Sequence, residues 1–197
     1  MGVGNRNGFT LLEILVALSI AAIVIGSAYT LLFTVKKGTI GIYEKMQEKE
    51  KAFNLLSMVR KEVESIYYFS DTDYTGLKIE EKDFYGKPAS RLTFTCFFRE
   101  GVKVISYYVE EDKDNRLNII KTISDVIKGG KPIKITVLKD VEGFSARVLD
   151  EGYDKVYDST KLKKVPKDVK ISLLLKGGKG VEEFSQICSL MLKDALQ

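Results

Sequence analysis

The sequence predicts an α+β chain, with one long N-terminal helix packed on a mostly antiparallel β-sheet. Three observations carry this reading. From Ile14 to Val35 no side chain is charged. Apolar residues then recur at three- and four-residue intervals as far as Tyr67, with charges between them. After Ser70 the apolar period switches to two, and no second helix-length pattern separates the short runs that follow.

The first element is the apolar run. Its 22 residues, ILVALSIAAIVIGSAYTLLFTV, would extend about 33 Å as a helix, the thickness of a bilayer's hydrocarbon core. Lys36 and Lys37 close it. A buried core helix would show a polar face, and a cleaved secretory signal would be shorter with a small-residue exit. A retained membrane anchor, residues 9–35, fits best. Apart from Arg6 and Glu13, every charged side chain of the 197 lies at Lys36 or beyond. Lysines and arginines on the two flanks balance too closely to settle which end lies in the cytoplasm.

Glu13 stands in the otherwise apolar window GFTLLEILVAL. A carboxylate at or near the bilayer costs several kcal/mol, roughly, unless a partner neutralises it, so it marks a functional position. A carboxylate resting at the headgroup level is the plainer alternative.

The second element is amphipathic. Ala52, Leu55, Leu56, Val59, Val63, Ile66 and Tyr67 follow helical spacing, which carries the helix from about Phe9 to Phe69. Gly38 and Gly41 weaken it locally. The β-rich part, residues 70–197, then reads as strands at Leu77–Glu80, Leu92–Phe98, Val102–Val109, Leu117–Ile123, Ile133–Leu138, Phe144–Leu149, Val169–Leu175 and Phe184–Leu192. Turn signals divide them, among them Arg99-Glu100-Gly101, Gly129-Gly130 and Gly177-Gly178. Asp150–Pro166 reads as a long loop whose Lys161, Lys163, Lys164 and Lys167 form a solvated face.

Composition narrows the function. The chain has no histidine, which excludes His-based acid–base chemistry, Ser-His-Asp and Cys-His nucleophile systems, and imidazole metal sites. A net charge of +4 is too small to imply a nucleic-acid partner. Cys96 and Cys188 fall in two strands outside the membrane. They either close a disulfide or serve as small buried hydrophobes. Acidic groups at Asp71/Asp73, Glu110–Asp114 and Asp150–Asp154 offer oxygens to calcium but match no calcium-loop spacing, so no cofactor is expected and solvated turns are the reading. Gly177-Gly178-Lys179-Gly180 lacks phosphate-loop spacing and reads as a hairpin turn. Nothing points to an enzyme.

The stretch Gly8-Phe9-Thr10-Leu11-Leu12-Glu13, after the short polar leader MGVGNRNG and before the apolar run, resembles the leader junction of type IV prepilins and type II secretion pseudopilins. That resemblance implies a pilin-like fold with residues 1–8 as leader peptide and residues 36–69 as the amphipathic half of the helix. It implies that a prepilin peptidase cuts between Gly8 and Phe9 and that the new Phe9 amine is methylated. It also implies that Glu13 pairs with the N-terminal amine of a neighbouring subunit. Topology follows: a single-pass protein of the inner membrane, N-terminus inside, bulk of the chain in the periplasm.

Within that superfamily the length, the strand content and the segment Val165-Pro166-Lys167-Asp168-Val169 resemble the J-class minor pseudopilins, with Tyr157 standing where that class carries a tryptophan. Such a protein is a non-catalytic subunit of a hetero-oligomer at the tip of a short periplasmic filament. Its partners there are I-like and K-like minor subunits and the major pseudopilin. A minor type IV or competence pilin, and a membrane-tethered periplasmic binding module, are the alternatives.

Overall fold

Leucine, isoleucine, alanine and valine run unbroken by proline from Leu11, and they form the helix the periodicity predicts. In the computed structural model, which describes residues 10–69, 76–98, 101–126, 130–149, 156–177 and 180–190, α1 spans Leu11–Glu64. Neither Gly38 nor Gly41 interrupts it. The chain divides into two compact units, Met1–Gln47 and Glu48–Gln197. In the first, Leu11–Thr39 is long and apolar enough to cross a membrane, and all its side chains are exposed.

In the second unit α1 buries the stripe Ala52, Leu55, Leu56, Val59 and Val63, which is one helical face. The helix stops at Glu64 rather than Phe69. Ile66 bridges Cys96, and the Tyr67 amide donates to the Thr95 carbonyl at 2.8 Å. β-branched and aromatic residues at 66–69 favour extended backbone, and a strand edge beside them takes their hydrogen bonds.

Eleven strands and one short helix follow: β1 (Leu77–Glu80), β2 (Asp83–Phe84), β3 (Lys87–Pro88), β4 (Arg91–Phe98), β5 (Gly101–Glu111), β6 (Leu117–Asp125), β7 (Ile133–Val141), β8 (Gly143–Val148), β9 (Val156–Asp158), α2 (Ser159–Leu162), β10 (Asp168–Gly177) and β11 (Gly180–Ser189). They form an open six-stranded sheet, β7-β6-β5-β4-β1-β9, a three-stranded sheet, β11-β10-β8, and the small β2-β3 ribbon. Every ladder between these strands is antiparallel. The architecture is thus α+β and pilin-like, a long N-terminal helix packed against mostly antiparallel, unclosed sheet.

The core lies between the helical stripe and one face of each larger sheet. Leu92, Phe94, Ile105, Tyr107 and Ile119 come from the first sheet, and Phe144, Val169, Ile171 and Leu173 from the second. The sheets are joined where the Ser90 amide donates to the Phe144 carbonyl at 2.9 Å and the Glu142 amide to the Leu174 carbonyl at 2.8 Å. Gly143 permits this junction: a Cβ there would lie 2.9 Å from the Pro88 carbonyl oxygen.

Within the region read as a long loop, Asp150–Pro166, residues 156–162 form β9 and α2, and residues 150–155 lie outside the described residues. β9 pairs with β1, and Asp158 caps α2 by accepting from the Thr160 amide at 3.1 Å and its hydroxyl at 2.6 Å. Ser159 is fully buried and accepts from the Leu77 amide at 2.7 Å. Gly76, at φ +145°, makes room, since a Cβ would approach Ser159 Oγ to 2.2 Å. Tyr157 is buried as well and donates to the Lys164 carbonyl at 2.5 Å. Lys161, Lys163, Lys164 and Lys167 are exposed. β11 begins at Gly180 rather than Phe184, because the Gly177–Gly180 pair closes its hairpin with β10.

Candidate functional site

Thr10 and Glu13 begin α1 as a reciprocal cap. The Thr10 amide and hydroxyl donate to Glu13 Oε2 at 3.1 and 3.2 Å, and the Glu13 amide donates to Thr10 Oγ1 at 3.3 Å. This capping box satisfies helix-end donors and sets the carboxylate at the positive end of the helix dipole. Its signature, Thr10-Leu11-Leu12-Glu13, is legible in the sequence, although the expectations for Glu13 concerned its charge and a partner subunit and not a cap. Both residues are exposed, so Glu13 remains open to a partner outside the chain. Gly8 and Phe9, the residues expected at the processed junction, lie outside the described residues.

Along the rest of the apolar segment, the serine and threonine hydroxyls are satisfied within the helix. Ser19, Ser27, Thr30, Thr34 and Thr39 each donate to the carbonyl four residues earlier, at 2.8–2.9 Å. In hydrocarbon this removes the cost of an unmet hydroxyl donor. Glu13 is therefore the one group of Leu11–Val35 whose charge asks for a counter-ion from elsewhere.

A second polar cluster joins α1 to the large sheet. Glu62 receives the Tyr107 hydroxyl at 2.7 Å on one oxygen and is paired through the other with the ammonium of Lys121. Lys121 is buried and lies 5.5 Å from the centre of the Tyr107 ring. Burial, then the hydrogen bond to Glu62, pushes the Tyr107 hydroxyl far above its ordinary pKa. Sequence reasoning missed the cluster, because it forms between residues 45 and 59 positions apart.

The disulfide alternative is corrected: Cys96 and Cys188 are both free and buried. Cys96 belongs to β4 of the six-stranded sheet and Cys188 to β11 of the three-stranded one. The charges felt by Cys96 are those of Glu62 and Lys121, and by Cys188 those of Glu64 and Arg60. Helical positions two apart face nearly opposite ways, which sets the two thiols on different flanks of α1. Burial raises their pKa values to about 11 and about 12. We expect neither thiol of the native chain to be alkylated by iodoacetamide at pH 8 and both to react once denaturant unfolds it, with mass spectrometry reading the count. Both folded values exceed the ordinary thiol value of 9.0. The fold therefore keeps its full stability below that pH and loses part of it as pH rises from there through the folded values, where the unfolded chain ionises first.

Of the acidic groups, Asp71, Asp73 and Asp150–Asp154 lie outside the described residues. Glu110 pairs with Lys134. Asp112 accepts from the Arg116 and Asp114 amides at 3.0 and 2.9 Å, and these bonds, Arg116's foremost, hold its carboxyl below the ordinary carboxylate range. Among the described residues, no group of three or more acidic or cysteine side chains is placed to hold a metal.

The chain matches the family model of the prokaryotic N-terminal methylation motif over residues 4–29. No curated protein and no solved structure matches it. The match covers Gly8, Phe9, Glu13 and most of the apolar segment. Motif and architecture together are those of a pilin-like structural protein, and Leu11–Thr39 is long and apolar enough to serve as a membrane anchor.

Proposed function

We propose that the chain is a minor pseudopilin of a type II secretion system, similar to the J class. It is anchored in the inner membrane, and its β-rich part stands in the periplasm at the tip of a short filament. The observation that carries the filament reading is Glu13. It is a carboxylate at the head of an exposed apolar helix, five residues from the Gly8–Phe9 junction, inside a methylation motif. Cleavage at that junction by a prepilin peptidase frees the Phe9 amine, which is then methylated and carries a positive charge. Pairing of this amine with Glu13 of an adjacent subunit relieves the cost of each charge in hydrocarbon and selects one register of stacking.

The chain contributes no bond-making step. It supports assembly with I-like and K-like minor subunits and with the major pseudopilin, whose growth accompanies export across the outer membrane. The strand-rich C-terminal part and the segment Val165–Val169 support the J-class assignment over a minor type IV or competence pilin.

Replacing Glu13 by Leu tests the reading. The variant still inserts in the membrane, while its recovery in sheared filaments falls by about an order of magnitude or more, the loss expected from removing one partner of a desolvated ion pair. Undiminished incorporation and secretion would sink it. Co-purification of the full chain with I-like and K-like subunits, rather than with pilus subunits, tests the system assignment.

A further inference from the structure

Two rings and two lysines share one face at the C-terminal end of the apolar segment. Tyr29 and Phe33 stack with ring centres 6.4 Å apart and planes 15° from parallel. The Lys37 ammonium stands over the Phe33 ring, 4.8 Å from its centre. Positions 29, 33 and 37 are four apart and Lys36 is seven from Tyr29, so the four side chains leave the helix on the same side. All four are exposed. Among the described residues no ion pair engages Lys36 or Lys37.

The uncharged run of 22 residues that ends at Val35 is as long as a bilayer's hydrocarbon core is thick, about 30 Å. When the segment spans, its last two turns therefore lie at one boundary of that core. Aromatic rings settle at this level, and lysines reach from it into the headgroups. The choice of lipid follows from charge. Two cations with no acid paired to them favour a headgroup of net negative charge over a zwitterionic one, which brings a cation of its own. An acidic segment of a neighbouring subunit would meet the lysines alone, whereas a phospholipid meets lysines and rings together. We propose that Tyr29, Phe33, Lys36 and Lys37 form a binding face for an anionic phospholipid, its phosphate on the two ammoniums and its upper acyl chain against the rings. The inference rests on the membrane anchor of the reading above and adds the outer limit of the span and the class of lipid held there.

The chain has no tryptophan, so Phe33→Trp gives a single fluorescent reporter within the face and Val24→Trp one at the middle of the span. Each full-length variant is reconstituted at low density in vesicles of equal parts phosphatidylcholine and phosphatidylglycerol, with one or the other lipid brominated on its acyl chains as quencher. Both leaflets have the same composition, so the direction of insertion does not matter. Brominated phosphatidylglycerol quenches the Phe33→Trp reporter as though enriched about threefold over phosphatidylcholine, within the attraction of two lysines near a charged surface. Adding Lys36→Gln and Lys37→Gln abolishes that enrichment and leaves quenching by both lipids. Equal quenching of the Phe33→Trp reporter by the two lipids, or a preference that survives loss of both lysines, overturns the proposal. A preference that disappears as the protein-to-lipid ratio rises would give the face to a neighbouring subunit and also overturn it. If the Val24→Trp reporter is not quenched by either lipid, the anchor falls and the proposal with it. Quenching there without lipid preference at position 33 removes the proposal alone.

Discussion

Replacing Lys121 by Met destabilises the folded β-rich part by about 2–3 kcal/mol, the scale for stranding one partner of a mostly buried ion pair. Glu62 keeps the Tyr107 hydroxyl but loses its cation, and its side chain is only 19% exposed, so water compensates it poorly. The cation over the Tyr107 ring is lost as well. In a chain of this size the change lowers the thermal midpoint by about 5–10 °C, measured by near-ultraviolet circular dichroism of the full chain in detergent. The double variant Glu62→Leu/Lys121→Met recovers most of the loss, since an apolar pair of similar volume removes the stranded charge. A single variant as stable as the parent would show that the cluster contributes nothing.

Truncating Phe144 to Ala costs more, about 3–5 kcal/mol for a fully buried aromatic ring. Phe144 has no exposed surface, and its backbone forms the junction at which the three-stranded sheet meets Ala89 and Ser90, the two residues that lead into β4 of the other sheet. The cavity would therefore open between sheets rather than within one. Denaturant unfolding should show a lower midpoint and a broader transition if the sheets begin to unfold separately. Phe97→Ala serves as the contrast. That ring is 67% exposed, and its loss should stay within about 0.5 kcal/mol. Equal effects at the two positions would contradict the core described above.

Much of the architecture was legible because it rests on local pattern. The uncharged run, the helical spacing through Val63 and the two-residue period after Ser70 each repeat over enough residues to outweigh single exceptions. Each of the eight runs read as strands contains a strand, although Leu149 and Leu190 lie past the ends of theirs and residues 191–192 lie outside the described residues. The misses came where local preference was overridden or too short to register. Helix spacing through Ile66 and Tyr67 lost to hydrogen bonds offered by Thr95 and Cys96, which sit in a strand thirty residues away in sequence. β9 has three residues and α2 four. At that length only the Asp158 cap and the pairing with β1 distinguish them from a loop.

The candidate sites divide in the same way. Glu13 and its capping partner Thr10 lie within six residues of Gly8 and Phe9, inside the matched methylation motif, because a helix terminus is set by a short stretch of chain. That contiguity made the anchored, filament-type reading available before any fold was known. The fate of Cys96 and Cys188 and the Glu62–Lys121–Tyr107 cluster depend on which strands lie next to which. No spacing in the sequence encodes that adjacency, so the tertiary structure alone decided it. A free energy of packing, shared among residues far apart in the chain, placed the two thiols in different sheets.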